Sequence, residues 1–220
     1  MNNINLKGCG TALVTPFRNG EVDYEAFAAL VDHQVEGGVD FLVPLGTTGE
    51  TPCLSDEEKI KVLTLAKERS CGKPVVAGVG TNSLEHTLAN IRLLEPHGVD
   101  VFLVVVPYYN KPPQEGMYRY FKAVAEATSK PILLYNVPGR TGANLEAETT
   151  LRLAQIDNII GIKEASSNRG QILEIIAGRP EGFLVLSGND DETFPLMKAG
   201  ADGVISVASN IAPVPVAKLA

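Results

Sequence analysis

Residues 98–106 read Gly-Val-Asp-Val-Phe-Leu-Val-Val-Val, and this stretch contains the pattern that predicts the fold. A glycine closes a helix-like segment, and the apolar run Val101–Val106 begins three residues later. The same Gly-x-Asp tripeptide precedes two other apolar runs, at Gly38 and Gly200. Glycine adopts the left-handed backbone that ends many helices, and a continuous apolar run is typical of a parallel strand covered on both faces. The repeat therefore predicts helices that alternate with buried parallel strands.

Apolar runs of this kind occur eight times, and helix-like segments separate them. The eight predicted strands are Thr11–Thr15, Phe41–Leu45, Val75–Val79, Val101–Val106, Ile132–Asn136, Ile159–Lys163, Phe183–Ser187 and Gly203–Val207. Eight such units fit either a closed barrel or a doubly wound open sheet. No G-x-G-x-x-G motif follows any of the runs, which removes the main signal of a dinucleotide-binding sheet. We therefore predict the α/β class and a (β/α)8 TIM barrel with all eight strands.

The length and composition fit one domain. The 220 residues are 45% hydrophobic and 20% charged, which is enough to bury one large core, so we assign residues 1–220 to a single barrel domain. Two helix starts are marked by Asp23 and by a capping box from Ser55 to Glu58. The eighth helix would begin at Pro213 and stop almost at once at Ala220, so we expect a barrel truncated in that helix.

The composition argues against several kinds of partner. The net charge is −7 and no basic stretch is present, which disfavours binding to nucleic acid or to an anionic membrane. No apolar run is long enough to span a bilayer, and the first ten residues lack the features of a secretory signal, so we expect a cytoplasmic protein. The three cysteines contain no C-x-x-C pair and the three histidines are scattered, so we expect neither a metal nor a cofactor.

A lysine is the last residue of one predicted strand, at the end of the barrel where TIM-barrel enzymes have their reactive groups. This residue, Lys163, is the last of the apolar run Ile159–Lys163. Burial disfavours the ammonium form and leaves a nucleophilic amine, which can form a Schiff base with a ketone or keto acid. A solvated lysine, or one paired with Glu164, is the ordinary alternative, because most lysines remain in contact with water.

Three turns at the same end of the barrel contain groups that can bind anions or move protons. In Gly46-Thr47-Thr48-Gly49-Glu50 the N–H groups of a tight turn can hold a carboxylate and the hydroxyls can relay protons, although ordinary turns have the same composition. Tyr135 ends the fifth strand, and Arg140 offers a planar fork for a carboxylate; a core tyrosine and a surface arginine are the alternative. Tyr108 and Tyr109 follow the fourth strand, where packing or an interface also explains them.

An amine, a phenol, an anion-binding turn and an arginine fork at one end of a barrel are the parts of a class I aldolase or lyase that acts on acidic substrates. Five motifs contain these groups: GTTGE at 46–50, PYYNKP at 107–112, YNVPGRTG at 135–142, GIKEAS at 161–166 and GVISVASN at 203–210. In this order and spacing they resemble the dihydrodipicolinate synthase family of pyruvate-dependent class I aldolases, from about Gly8 to the last residues. Arg140 and the paired threonines favour the synthase over N-acetylneuraminate lyase and related sugar-acid aldolases.

The resemblance implies a reaction and a set of catalytic residues. The family condenses pyruvate with aspartate 4-semialdehyde to give 4-hydroxy-tetrahydrodipicolinate, in lysine and diaminopimelate biosynthesis. Lys163 would form the Schiff base with pyruvate, and the resulting enamine would attack the aldehyde carbon. Tyr135 would be the central proton donor and acceptor. It would be joined through Thr47 to Tyr109, which in the family reaches across a dimer interface into the neighbouring site.

The resemblance also implies three substrate-binding positions. Thr48 would hold the pyruvate carboxylate, the main chain at Ile205 would line the same pocket, and Arg140 would hold the carboxylate of the semialdehyde. The family pattern further implies a homodimer or homotetramer.

The sequence departs from the family pattern in two places. The family continues beyond the barrel with the rest of helix eight and a C-terminal helical extension, which we expect this chain to lack. At the lysine-binding cleft of feedback-sensitive members, Pro52, Asp56, Lys59 and His86 differ from the family's histidine- and glutamate-bearing pattern, so we expect weak or absent inhibition by lysine. Another pyruvate-dependent aldolase and a truncated, non-catalytic barrel are the alternatives that stay open.

Overall fold

The computed structural model describes residues 4–220. The strands in this range are β1 (Gly8–Ala12), β2 (Phe17–Arg18), β3 (Glu21–Val22), β4 (Phe41–Val43), β5 (Val76–Gly78), β6 (Val101–Val105), β7 (Ile132–Asn136), β8 (Ile159–Glu164), β9 (Leu184–Ser187) and β10 (Gly203–Ser206). Eight of them form one parallel sheet in the order β4-β1-β10-β9-β8-β7-β6-β5, and β2 and β3 form a small antiparallel hairpin. A bridge between Leu42 and Val75 joins the two outer strands of the sheet. The predicted (β/α)8 barrel is thereby confirmed.

Helices follow the strands and cover the outside of the barrel. Within residues 4–220 they are α1 (Tyr24–Glu36), α2 (Asp56–Arg69), α3 (Leu84–Leu94), α4 (Gln114–Glu126), α5 (Pro138–Thr141), α6 (Ala147–Leu153), α7 (Arg169–Gly178), α8 (Thr193–Lys198) and α9 (Pro213–Leu219). The Asp23 carboxylate caps α1, and both hydrogen bonds of the Ser55–Glu58 capping box form at α2. Both predicted helix starts are confirmed. No helix in the described part of the chain has the length and apolar character needed to cross a membrane.

Seven of the predicted strands match the observed ones to within two residues at each end, but the limits of the first were wrong. The prediction was Thr11–Thr15, whereas β1 is Gly8–Ala12. Glycine is a poor strand former, so a strand prediction that relies on apolar runs leaves glycine residues out. At Gly10 the missing side chain is a requirement, because a Cβ there would lie 2.0 Å from a ring carbon of Phe41 inside the barrel.

Two apolar layers surround the sheet, because successive side chains of a strand point to opposite faces. The layer inside the barrel includes Phe41, Leu103, Leu133, Leu186 and Ile205. The layer between the strands and the helices includes Phe27, Leu63, Phe102 and Phe121. A polar side chain that points inward from a strand therefore lies in surroundings that are largely free of water.

The three Gly-x-Asp tripeptides join a helix end to the next strand, as predicted. Gly38, Gly98 and Gly200 have φ values of 82°, 87° and 105°, the left-handed conformation expected after a helix. The aspartates have a role that the sequence did not reveal, since each one binds the preceding strand of the sheet. The Oδ2 atoms of Asp40, Asp100 and Asp202 accept hydrogen bonds from the N–H groups of Cys9, Val75 and Val185 at 2.8, 2.8 and 3.0 Å. We call these contacts the aspartate latches; they lie at the amino-terminal ends of the strands.

Candidate active site

Lys163 lies on β8 and points into the barrel, with 5% of its surface exposed. Its register partner on β7 is Tyr135, which is also buried. The Lys163 Nζ atom lies 4.4 Å from the centre of the Tyr135 ring. The strand pairing thus places the predicted nucleophile and the predicted proton donor side by side.

The surroundings of Lys163 favour its neutral amine. Burial lowers the pKa of Lys163 to about 8, and the positive charge of Arg140 acts in the same direction, while Asp190 opposes both. A lysine with this pKa is partly unprotonated near neutral pH, so it can attack a carbonyl carbon. Lys163 is therefore not the solvent-exposed lysine that the sequence left open as an alternative.

Asp190 and Gly188 complete the surroundings of Lys163, and neither was among the residues predicted from the sequence. Asp190 follows β9, and its Oδ2 accepts hydrogen bonds from the N–H groups of Val207 and Ala208 at 3.1 and 3.0 Å. A Cβ on Gly188 would lie 3.1 Å from Cε of Lys163, so glycine leaves room for the lysine. The acidic run that begins at Asp190, at the same end of the barrel, was the available signal.

A cavity of about 420 Å³ opens beside Tyr135. Its wall includes the predicted site residues Thr47, Tyr135 and Arg140. The volume is within the range of small-molecule sites. The cavity therefore joins the phenol and the arginine in one space, while the Lys163 amine lies beside the Tyr135 ring without lining the cavity.

Burial raises the pKa of Tyr135 above its ordinary value, while the charge of Arg140 and the neighbouring Thr47 side chain lower it. Burial has the larger effect, so the phenol remains protonated at neutral pH and can give a proton. Thr47 belongs to a single helical turn, Thr47–Gly49, and the half-buried Thr48 lies in the same turn.

Arg140 lies in the short helix α5, directly after β7. Its side chain is exposed, and no carboxylate of residues 4–220 lies within 4 Å of it. An unpaired guanidinium at the wall of a cavity is able to bind a carboxylate in a bidentate manner.

Three more of the predicted site residues, Thr48, Tyr109 and Ile205, do not line this cavity. Tyr109 is 86% exposed and has a φ of 71°, while its N–H group donates to the carbonyl of Thr141 at 3.2 Å. Its side chain does not line the cavity of its own chain. Ile205 is fully buried inside the barrel and pairs with Gly10.

Two of the four positions expected to differ from the lysine-binding pattern of feedback-sensitive members lie at the same cavity. Pro52 and Lys59 line it, and the Lys59 Nζ atom lies 2.9 Å from a carboxylate oxygen of Asp56. His86 is exposed on α3. Among residues 4–220, no group of three or more His, Cys, Asp and Glu side chains is arranged to hold a metal ion.

The sequence profile of the Dihydrodipicolinate synthetase family matches residues 5–220. The chain belongs to this family. A curated relative from Parabacteroides distasonis, named 4-hydroxy-tetrahydrodipicolinate synthase, is 54% identical over 216 residues, which are 97% of this chain and 73% of the relative.

Solved structures of the dihydrodipicolinate synthetase family have the same fold. The dihydrodipicolinate synthase of Thermotoga maritima superposes with a TM-score of 0.94 at 47% identity, over 96% of this chain and 74% of that one. The enzyme from Acinetobacter baumannii, solved in complex with pyruvate, superposes with a TM-score of 0.94 at 41% identity, over 97% of this chain and 74% of that one.

Proposed function

We propose that this chain is a 4-hydroxy-tetrahydrodipicolinate synthase, a lyase of lysine and diaminopimelate biosynthesis that condenses pyruvate with aspartate 4-semialdehyde. The observation that supports this most directly is the buried Lys163 amine beside the Tyr135 phenol, in a chain of the dihydrodipicolinate synthetase family. The named relative from Parabacteroides distasonis supports the same reaction.

The chemistry begins at Lys163. Its neutral amine attacks the keto carbon of pyruvate, and loss of one water gives a Schiff base. Loss of a proton from the methyl carbon then gives an enamine, whose carbon attacks the aldehyde carbon of the semialdehyde while the aldehyde oxygen takes up a proton. The amino group of the semialdehyde finally attacks the imine carbon, which closes the ring and releases Lys163. The balance is one water released for each pair of substrates.

The neighbouring residues move the protons of these steps. Tyr135 gives and accepts them, and its burial keeps the phenol protonated until it is needed. Thr47 passes protons between Tyr135 and Tyr109, and Tyr109 comes from the neighbouring subunit. The 86% exposure of Tyr109 supports this last assignment, because the side chain is free to enter another copy of the chain.

The carboxylates of the two substrates are held by different groups. Thr48 and the main chain at Ile205 bind the carboxylate end of pyruvate. Arg140 binds the carboxylate of the semialdehyde, which its lack of an ion pair among residues 4–220 supports. A short acidic aldehyde suits this guanidinium better than a polyhydroxylated sugar acid does.

The assembly that fits these roles is a homodimer or a homotetramer of one-domain chains, residues 1–220. We place it in the cytoplasm, where the three free thiols find a reducing environment.

Trapping with borohydride tests the proposal. Incubation with pyruvate and sodium borohydride, followed by intact mass and peptide mapping, is expected to yield one pyruvate adduct on Lys163. The Lys163→Met variant is the control and should yield none. A chain that melts cooperatively but forms no adduct would contradict the proposal, as would an adduct on another lysine.

A further inference from the structure

Glu164 is a fully buried carboxylate directly after Lys163, and the proposed reaction makes no use of it. In the described part of the chain, no lysine, arginine or histidine nitrogen lies within 4 Å of its oxygens. Burial raises the pKa of Glu164, while hydrogen bonds from Ser166, Asn136 and Gln171 act in the opposite direction. A buried acid without a cation is costly, so its hydrogen-bond partners indicate what it does.

Asn136 and Glu164 form a register pair on β7 and β8, one position beyond the pair Tyr135 and Lys163. Because side chains alternate along a strand, the second pair points away from the barrel interior. The Asn136–Glu164 pair thus lies directly behind the reacting groups, on the side of the sheet that the helices cover.

The side-chain amide of Asn136 closes the base of the turn that carries Arg140. Its Oδ1 accepts a hydrogen bond from the N–H group of Leu145 at 2.9 Å, and its Nδ2 donates to the carbonyl of Leu145 at 3.3 Å. The turn leaves the sheet after Asn136, passes through α5 and reaches Leu145 shortly before α6. One amide therefore holds both ends of the turn together.

Every hydrogen bond of the Glu164 side chain is one that it accepts. Because the Asn136 oxygen is bound to the Leu145 N–H group, the Asn136 nitrogen faces Glu164 and lies 3.2 Å from each of its oxygens. Gln171 directs its nitrogen to Glu164 at 3.2 Å and to the Leu145 carbonyl at 3.0 Å. The Ser166 N–H group donates at 2.8 Å. Three fixed donors require a group with acceptors only, which a carboxylate is and an amide is not.

We propose that Glu164 is a positioning residue that sets the affinity of the site for its second substrate. It fixes the orientation of the Asn136 amide, this amide fixes Leu145, and the closed turn fixes Arg140. The inference rests on the proposed function, in which Arg140 binds the carboxylate of aspartate 4-semialdehyde. Pyruvate binds at Lys163 and Thr48, whose side chains form no hydrogen bond with Asn136, Leu145 or Glu164, so we expect its binding to change much less than that of the semialdehyde.

The Glu164→Gln variant tests the proposal, because it keeps the shape of the side chain and turns one acceptor into a donor. Asn136 must then rotate or lose its partner, and the base of the turn opens. We expect the KM for aspartate 4-semialdehyde to rise about tenfold, since small displacements of positioning groups weaken substrate binding strongly. The KM for pyruvate and the rate of borohydride trapping at Lys163 should stay within about twofold of the wild-type values.

Two further variants keep the test decisive. Asn144→Ala removes the side chain that links Asn136 and Gln171 from the turn itself, at 2.9 and 2.8 Å, and should reproduce the same selective rise if Glu164→Gln does not fold. Glu174→Gln removes an exposed acid from α7, the helix that contains Gln171, and should change the KM of neither substrate.

A lower melting temperature with both KM values unchanged would overturn the positioning role, and so would an equal rise in both. Failure of the proposed function is a separate result, because the wild type and Glu174→Gln would then form no product from the semialdehyde.

Discussion

The burial of Lys163 lowers the stability of the folded protein. In the unfolded chain its amine has the ordinary pKa of 10.5, whereas in the barrel the pKa is about 8. The unfolded state therefore holds the proton more tightly than the folded state. Below pH 8 this difference opposes folding, with an upper limit of about 3 kcal/mol, since one pKa unit corresponds to about 1.4 kcal/mol. In the proposed function, this loss of stability accompanies the reactivity of the amine.

Replacing Lys163 by methionine should consequently stabilise the protein while abolishing adduct formation. We expect the free energy of unfolding at pH 7 to rise by about 1–3 kcal/mol. The gain should fade as the pH rises from 8 toward 10.5, because the wild-type lysine loses its proton in the unfolded state as well. Denaturant unfolding at a series of pH values measures it.

Lys122→Met, at an exposed lysine of α4, is the matched control and should change stability by less than about 0.5 kcal/mol. A destabilised Lys163→Met protein at pH 7 would refute the argument.

Lys163, Tyr135 and Arg140 could be selected from the sequence because reactive side chains at the ends of apolar strands stand out from their neighbours. Asp190 and Glu164 could not be selected in this way. The contact of Asp190 is with backbone N–H groups seventeen and eighteen residues away, and the donors around Glu164 come from three separate segments. Such roles depend on how loops fold back on the sheet, which residue type and spacing do not reveal.

The aspartate latches explain how strands that are only three to five residues long keep their register at the latched positions. Asp202 is the most elaborate of them, since it also pairs with Arg179 and with Lys7. Burial alone would raise the pKa of Asp202, but hydrogen bonds from the Val185 N–H group and from Arg179 hold it below 3.8. An acid of this kind contributes stability above its unfolded pKa and loses that contribution as the pH falls through its folded pKa.

Asp202→Asn should therefore destabilise the barrel by about 1–3 kcal/mol at neutral pH. The difference from the wild type should shrink as the pH falls below about 4, where the wild-type carboxyl also takes up a proton. Thermal or denaturant unfolding across this pH range provides the measurement. Asp157→Asn, at an exposed aspartate, serves as the control, and a difference that persists unchanged to low pH would show that the charge of Asp202 has no part in the effect.

The order of strands and helices was predictable because each strand is a short apolar run and each helix has recognisable ends. Strand limits were predictable only where the run itself sets them. At β1 they are set by the fit of Gly10 against Phe41 across the barrel, a contact between residues thirty-one positions apart that no local pattern contains.

Tyr109 is the residue at which the proposed assembly can be tested. A non-glycine residue with a φ of 71° is unfavourable, and an 86% exposed tyrosine gains little from packing. If Tyr109 acts in the site of a neighbouring subunit, two defective chains should repair each other. We expect hybrids of Lys163→Met and Tyr109→Phe chains, isolated through two different affinity tags, to recover roughly half of the wild-type activity.

The reason is geometric. In such a hybrid, one site combines the lysine of one chain with the tyrosine of the other. Each variant alone should be nearly inactive, and a hybrid as inactive as its parents would mean that Tyr109 serves its own chain.

The aspartate latches and the reacting groups lie at opposite ends of the strands. The two ends can therefore change independently during evolution. Substitutions in the loops that bind the aldehyde leave the strand contacts of Asp40, Asp100 and Asp202 in place. Substitutions that adapt these contacts to higher temperature or lower pH leave the Lys163 amine in place. Because of this separation, the substrate preference and the stability of the barrel can change independently of each other.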